Sequence, residues 1–163
     1  MNPPQTQTCL PRELAECPVF LLGRLGYELK RYAIEELEAA GFSMYDYSVL
    51  ALAAEGACEA QSSIADVLKV DRSQIVGILD GLEQRGLVER RRDPNDRRRH
   101  VITITAAGNR ELAKLRAIVE RIGDDFLAPL DSEERERLFE LLLQVARARD
   151  ARFAPAPQAA AVA

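Results

Sequence analysis

Apolar positions recur every three or four residues along most of this chain and alternate with polar ones in only one stretch. The first spacing belongs to helices and the second to strands. Over residues 12–40, Val19, Leu22, Leu25, Gly26, Leu29, Tyr32, Ala33 and Leu37 form one stripe, which predicts one helix or two joined near Pro18. Gly23 and Gly26 allow close helix approach, at a cost in propensity. Gly41 closes this element. Ser43, with Asp46 three residues on, then caps a helix carrying Tyr45, Val49, Leu50, Leu52 and Ala53. Ile64, Ala65, Val67 and Leu68 predict a short helix from Ser62 to Val70. Asp71, with Gln74, opens another as a variant capping box, and its buried face is Ile75, Ile78, Leu79 and Leu82. Gly86 is a C-terminal stop.

The alternating stretch follows. Leu87 to Arg90 and His100 to Thr105 read as two strands around the turn chemistry of Asp93, Pro94, Asn95 and Asp96. Thr105 caps a long helix with Leu112, Leu115, Ile118, Val119, Ile122 and Phe126, which Pro129 ends. Asp131 to Glu134 start a last helix bearing Leu138, Leu141, Leu142 and Val145, with Arg147 and Arg149 suited to its C-terminal dipole. The expected division is an arm over 1–11, a helical region over 12–42, a compact head over 43–105, C-terminal helices over 106–150 and a disordered tail over 151–163. A head of roughly 65 residues is too small to bury the flanking stripes as well. Some of that apolar surface is therefore expected to face a second copy of the chain.

Charge sharpens this picture. The chain nets −4, yet Arg85, Arg90, Arg91, Arg92, Arg97, Arg98 and Arg99 face only Glu89, Asp93 and Asp96, which leaves the hairpin segment at +4. A basic patch on an acidic protein implies a local polyanion site. The helix before it presents Arg72, Ser73, Gln74, Val76, Gly77 and Asp80 opposite its apolar face. Arginine and glutamine there can pair bidentately with guanine and adenine edges. The candidate DNA contacts are Ser62, Arg72, Ser73, Gln74, Ile75 and Gly77 on the helix pair, with Ile75 counted also on the buried face. On the hairpin they are Arg90, Arg91, Arg92, Arg97, Arg98 and Arg99.

Other chemistry has little material. One histidine and three cysteines (Cys9, Cys17, Cys58) match no zinc spacing and no even disulfide set, so neither metal nor cofactor is expected. Nucleophile-elbow, phosphate-loop and metalloprotease motifs are absent, which argues against an enzyme. A winged helix that binds RNA or protein is the other competing class, and the arginine-rich hairpin argues against a purely protein partner. No apolar run suits a membrane span, no signal-peptide pattern opens the chain, and a reducing cytoplasm is the expected location.

The segment LEQRGLVERRRDPNDRRRHVITITAAG resembles the signature of the MarR (multiple antibiotic resistance regulator) family. The matching elements are Leu82-Glu83, Gly86-Leu87-Val88, Arg90, the Asp96-x-Arg98 pair and Thr105-x-x-Gly108. The resemblance is specific over about residues 43–108. It implies a mainly α fold with a small β-wing, a winged helix-turn-helix dimerised through its N- and C-terminal helices. It implies binding to double-stranded DNA at a pseudo-palindromic operator, with the second helix of the motif in the major groove and a wing arginine in the minor groove. By the same resemblance Asp96 orients Arg98. Gly77 departs from the pattern, because many members carry a basic residue there.

Resembling proteins often sense small aromatic acids or phenols between head and dimer helices. Here the resemblance makes Arg24, Tyr27, Arg31, Tyr45, Tyr47 and His100 candidate ligands for an anionic aromatic effector that releases a repressor from DNA, since arginines and tyrosines suit such a molecule. A thiol-based alternative rests on Cys17, because organic-hydroperoxide sensors of this family use an N-terminal cysteine near tyrosines. Such a thiol needs activation by a cation or a helix N-terminus.

Overall fold

The computed structural model describes residues 9–56, 61–92 and 100–153, apart from the side chains of Ser62, Arg92 and His100. Residues 1–8 of the expected arm, the hairpin tip with Asp96, Arg97, Arg98 and Arg99, Cys58, and residues 154–163 of the expected tail lie outside the described residues. The elements are α1 (Arg12–Ala15), α2 (Pro18–Ala39), α3 (Met44–Glu55), α4 (Gln61–Leu68), α5 (Arg72–Gln84), β1 (Val88–Arg92), β2 (His100–Ile104), α6 (Ala106–Phe126) and α7 (Ser132–Arg149). They divide into two compact units, residues 1–44 and 45–163.

In the first unit Pro18 takes the first position of α2, where a missing N–H breaks no helical bond, so the chain divides into two helices there. Gly41, at φ 79°, ends α2 in the left-handed conformation. Its N–H donates to the Glu38 carbonyl at 2.9 Å, and the Phe42 N–H donates to the Leu37 carbonyl at 3.0 Å. This is a Schellman ending, with Leu37 and Phe42 both buried as its apolar pair. Toward the start of α2 the apolar stripe is bare: Val19, Leu21, Leu22, Leu25 and Leu29 are exposed.

The second unit gathers its core from every element except α7. Val49, Leu50 and Ala53 come from α3, Ile64 and Ala65 from α4, and Ile75, Leu79 and Leu82 from α5. Leu87, Val88 and Ile102 add the base of the hairpin, and Leu112, Leu115 and Ile122 add one face of α6. Between α4 and α5 the chain turns through Lys69, at φ 52°, and the Val70 N–H closes the turn on the Ala65 carbonyl at 3.2 Å. The box expected from Asp71 and Gln74 does not form. Asp71 does stand at the N-cap of α5, but its side chain accepts no capping bond; the Gln74 and Ile75 N–H groups reach its backbone carbonyl instead. Both side chains are exposed, so water competes for the same groups.

Gly86, at φ 69°, ends α5 by a second Schellman pair: Gly86 N–H to Glu83 carbonyl at 2.8 Å and Leu87 N–H to Leu82 carbonyl at 2.9 Å. That turn feeds β1 into an antiparallel pair with β2, in register Val88↔Ile104, Arg90↔Ile102 and Arg92↔His100. Thr105 then joins three elements. Its hydroxyl donates to the Gly86 carbonyl at 2.7 Å and accepts from the Gly108 N–H at 2.9 Å, which caps α6 as expected. A Cβ on Gly108 would lie 2.1 Å from the Leu87 carbonyl oxygen, so only glycine lets α6 start this close to the hairpin.

Asp131 and Glu134 form a reciprocal capping box at the start of α7. Arg135 ties it to α6, with its guanidinium 2.8 Å from the Asp124 carboxylate. No residue of α7 is buried, and Phe139, Leu141, Leu142 and Val145 stand exposed. Residues 151–153, expected to belong to a disordered tail, form a regular turn. Ala151–Phe153 close into a 3₁₀ turn because Arg152 donates to the Val67 carbonyl and pairs with Asp150. The Arg152 guanidinium holds the Asp150 carboxyl well below the usual carboxylate range.

Candidate nucleic-acid interface

The second unit contains two short helices joined by a tight turn, then a two-stranded wing. Which face each helix buries decides what the pair presents outward. Ile75, Leu79 and Leu82 fasten α5 to the core, and this leaves Arg72, Ser73, Gln74, Val76 and Gly77 on the outer side, all exposed. Arg72, Ser73 and Gln74 make no side-chain hydrogen bond or ion pair with the described residues, so their donors and acceptors are open to an incoming partner. A Cβ at Gly77 would meet nothing within 4 Å, which keeps the middle of this face clear for close approach.

Two of the expected contacts are corrected by the structure. Ile75 is 0% exposed, because it sits one turn before Leu79 on the packed face, while its neighbour Val76 is exposed. Arg90 is turned inward. Along β1 the side chains alternate, with Val88 and Arg90 on the inner face and Glu89 and Arg91 on the outer. The Arg90 Nη2 lies 2.5 Å from the Asp80 carboxylate and Nη1 lies 3.3 Å from that of Glu83. With its side chain 22% exposed and two carboxylates beside it, Arg90 has no charge to spare for phosphate. Simple alternation counted from Val88 carries this signal.

Arg91 faces outward. It pairs with Glu89 at 2.8 Å, but both side chains are more than half exposed, and such surface pairs yield readily to a phosphate. The backbone of Ser62 lies in α4 and that of Arg92 ends β1; their side chains, like Asp96, Arg97, Arg98 and Arg99, lie outside the described residues.

The residues read as effector ligands fall in both units. Arg24, Tyr27 and Arg31 belong to α2, where all three are exposed. Arg24 pairs with Glu28 at 2.8 Å, and Arg31 pairs with Glu35 at 2.5 Å and Glu28 at 3.5 Å. Glu35 and Glu28 raise the Arg31 pKa, Glu35 by its hydrogen bond first. Arg24 and Tyr27 also line an open groove on α2 with Val19, Phe20 and Gly23. Tyr45 is exposed and Tyr47 half-buried, both in α3, and the His100 side chain lies outside the described residues. Cys17 is the half-buried N-cap residue of α2, and Cys9 is exposed. Among the described residues no group of three or more His, Cys, Asp or Glu could hold a metal ion, and no helix is long and apolar enough to cross a membrane.

A helix pair followed by a basic antiparallel wing, with Arg72, Ser73 and Gln74 exposed in the first turn of the second helix, defines a winged helix-turn-helix. The MarR family model matches residues 42–100. A putative transcriptional regulatory protein for the hcr operon of Thauera aromatica is 33% identical over 135 residues, covering 78% of this chain and 81% of the relative. CouR from Rhodococcus jostii RHA1, solved bound to p-coumaroyl-CoA, is 32% identical with a TM-score of 0.67, over 83% of this chain and 96% of that one. MarR of E. coli in its apo form is 25% identical with a TM-score of 0.70, over 79% and 96%. The chain belongs to the MarR family and is a sequence-specific DNA-binding transcription regulator. Its relatives are regulators, a class with no catalytic reaction to assign.

Proposed function

We propose that the protein is a homodimeric repressor, released from its operator by a small anionic aromatic molecule or the coenzyme A thioester of one. The observation that carries the DNA half is the unpartnered polar turn of α5, with Arg72, Ser73 and Gln74 exposed beside an arginine-bearing wing. In this reading that turn enters the major groove, and Arg98, oriented by Asp96, enters the minor groove. Arg91, Arg92, Arg97 and Arg99 meet phosphates, and Ser62 adds a DNA contact from α4. A two-fold axis relates two copies, with recognition helices about 34 Å apart on a pseudo-palindrome. The exposed apolar residues of α2 and α7 support this, since exposed apolar surface of this kind marks protein contacts. Action on chromosomal DNA places the protein in the cytoplasm.

The effector reading draws on CouR, which was solved with p-coumaroyl-CoA, and on the cationic and aromatic content of α2 and α3. Arg24 and Arg31 suit a carboxylate or phosphate, and Tyr27, Tyr45, Tyr47 and His100 suit an aromatic ring. For a hundredfold loss of DNA affinity the ligand must favour the free dimer over the bound one by about 2.7 kcal/mol, because coupling is reciprocal. The test is a gel-shift titration with phenolic acids, their coenzyme A thioesters and an organic hydroperoxide. Release by an aromatic acid or thioester is the expected result. Release by peroxide alone, lost in Cys17→Ser, replaces this reading with the thiol one.

A further inference from the structure

The geometry points to Arg90 as a positioning residue that fixes the wing against the recognition helix and does not itself touch DNA. This rests on the reading that α5 and the wing engage DNA together. Arg90 stands on the inner face of β1, opposite the buried Ile102. Its guanidinium reaches across to α5 and takes hold of three successive places there. Nη2 lies 2.5 Å from the Asp80 carboxylate and donates to the Val76 carbonyl at 3.4 Å, and Nη1 lies 3.3 Å from the Glu83 carboxylate. The Arg90 backbone N–H donates to Glu83 as well, at 3.1 Å. Residues 76, 80 and 83 share one face of a helix, so the contacts run along α5 and restrain its angle to the hairpin as well as its distance.

The charge balance excludes a phosphate role. One guanidinium between two carboxylates leaves the cluster negative. Its Nε is buried without an acceptor among the described residues, while the two Nη groups of the planar fork reach both acids. Lysine, a single point charge, cannot reproduce that fork.

The test compares Arg90→Lys, Arg90→Gln and Asp80→Ala with the parent, by fluorescence anisotropy at several salt concentrations. The probes are the duplex that the parent enriches from a random pool and an unrelated duplex. Alanine is the better helix former, so Asp80→Ala on the surface of α5 keeps the fold, and thermal unfolding checks this. Removing an acid beside DNA should, by electrostatics alone, tighten binding to any duplex. A positioning role has the opposite sign: Asp80→Ala and Arg90→Lys each weaken the enriched duplex about tenfold, leave the unrelated one within about twofold, and keep the salt slope of the parent. Tighter or unchanged binding by Asp80→Ala overturns the proposal. So does parental affinity in Arg90→Lys, or a salt slope reduced by about one in Arg90→Gln, the mark of a lost phosphate contact. A parent that prefers no duplex refutes the groove reading itself, a distinct outcome.

Discussion

At the scale of single residues, identical side chains take different roles according to the parity of their position. Arg90 and Arg91 are neighbours, yet one is folded onto α5 and the other stands in solvent, because consecutive residues of a strand point to opposite faces. The same logic on a helix separates Ile75 from Gln74 and Val76. Gln74 is exposed near the start of α5, where an amide can reach a base edge. Gln74→Ala should therefore cost about 1–3 kcal/mol on the preferred operator and little on random DNA. Competition binding with both duplexes measures this, and equal losses on the two would move Gln74 from base reading to backbone contact.

At the scale of elements, the junctions are set by backbone chemistry more than by apolar area. Four helices end through a residue in the left-handed conformation: α2, α3 and α5 at Gly41, Gly56 and Gly86 by absence of a side chain, and α4 at Lys69 in spite of one. The junction between wing and α6 is tighter still. Thr105 bonds both sides of it, and Gly108 leaves no room for a methyl group. Gly108→Ala must push α6 away from the Leu87 carbonyl, and an overpacked site of this kind costs about 1–3 kcal/mol. Urea unfolding measures the loss. Parental stability would mean that α6 can begin elsewhere and that the junction is less rigid than its hydrogen bonds imply.

At the scale of the whole molecule, the exposed apolar faces are the dominant feature. Val19, Leu22 and Leu25 on α2 and Phe139, Leu141, Leu142 and Val145 on α7 find no cover within the described chain. In the proposed dimer Leu142→Asp places an unpaired charge in the interface, which costs several kcal/mol. Sedimentation should show monomers, and tight operator binding should vanish with the dimer, since a half-site alone binds weakly. An intact dimer would place the interface elsewhere. Binding by the parent should also depend steeply on salt. A dimer with about 6–10 phosphate contacts loses roughly 10³–10⁵ in affinity between about 50 and 200 mM salt. A flat response would remove phosphates from the wing's role.

Much of this protein was decided by local sequence. Helix spans follow from three- and four-residue periodicity, their ends from Pro18, Gly41, Gly86 and Thr105, and the wing from one alternating stretch around turn residues. The signature over about residues 43–108 carries the family resemblance, and it includes a backbone need, the close approach at Gly108. What local pattern left open was decided by tertiary contact. Whether Asp71 caps α5 by its side chain depends on competition between backbone and solvent at an exposed turn, and there the backbone carbonyl took the bonds. Whether an arginine on the hairpin serves DNA or the fold depends on which acids lie across from it. Asp80 and Glu83 sit ten and seven positions before Arg90 in the chain, and only the turn at Gly86 brings their carboxylates to its guanidinium.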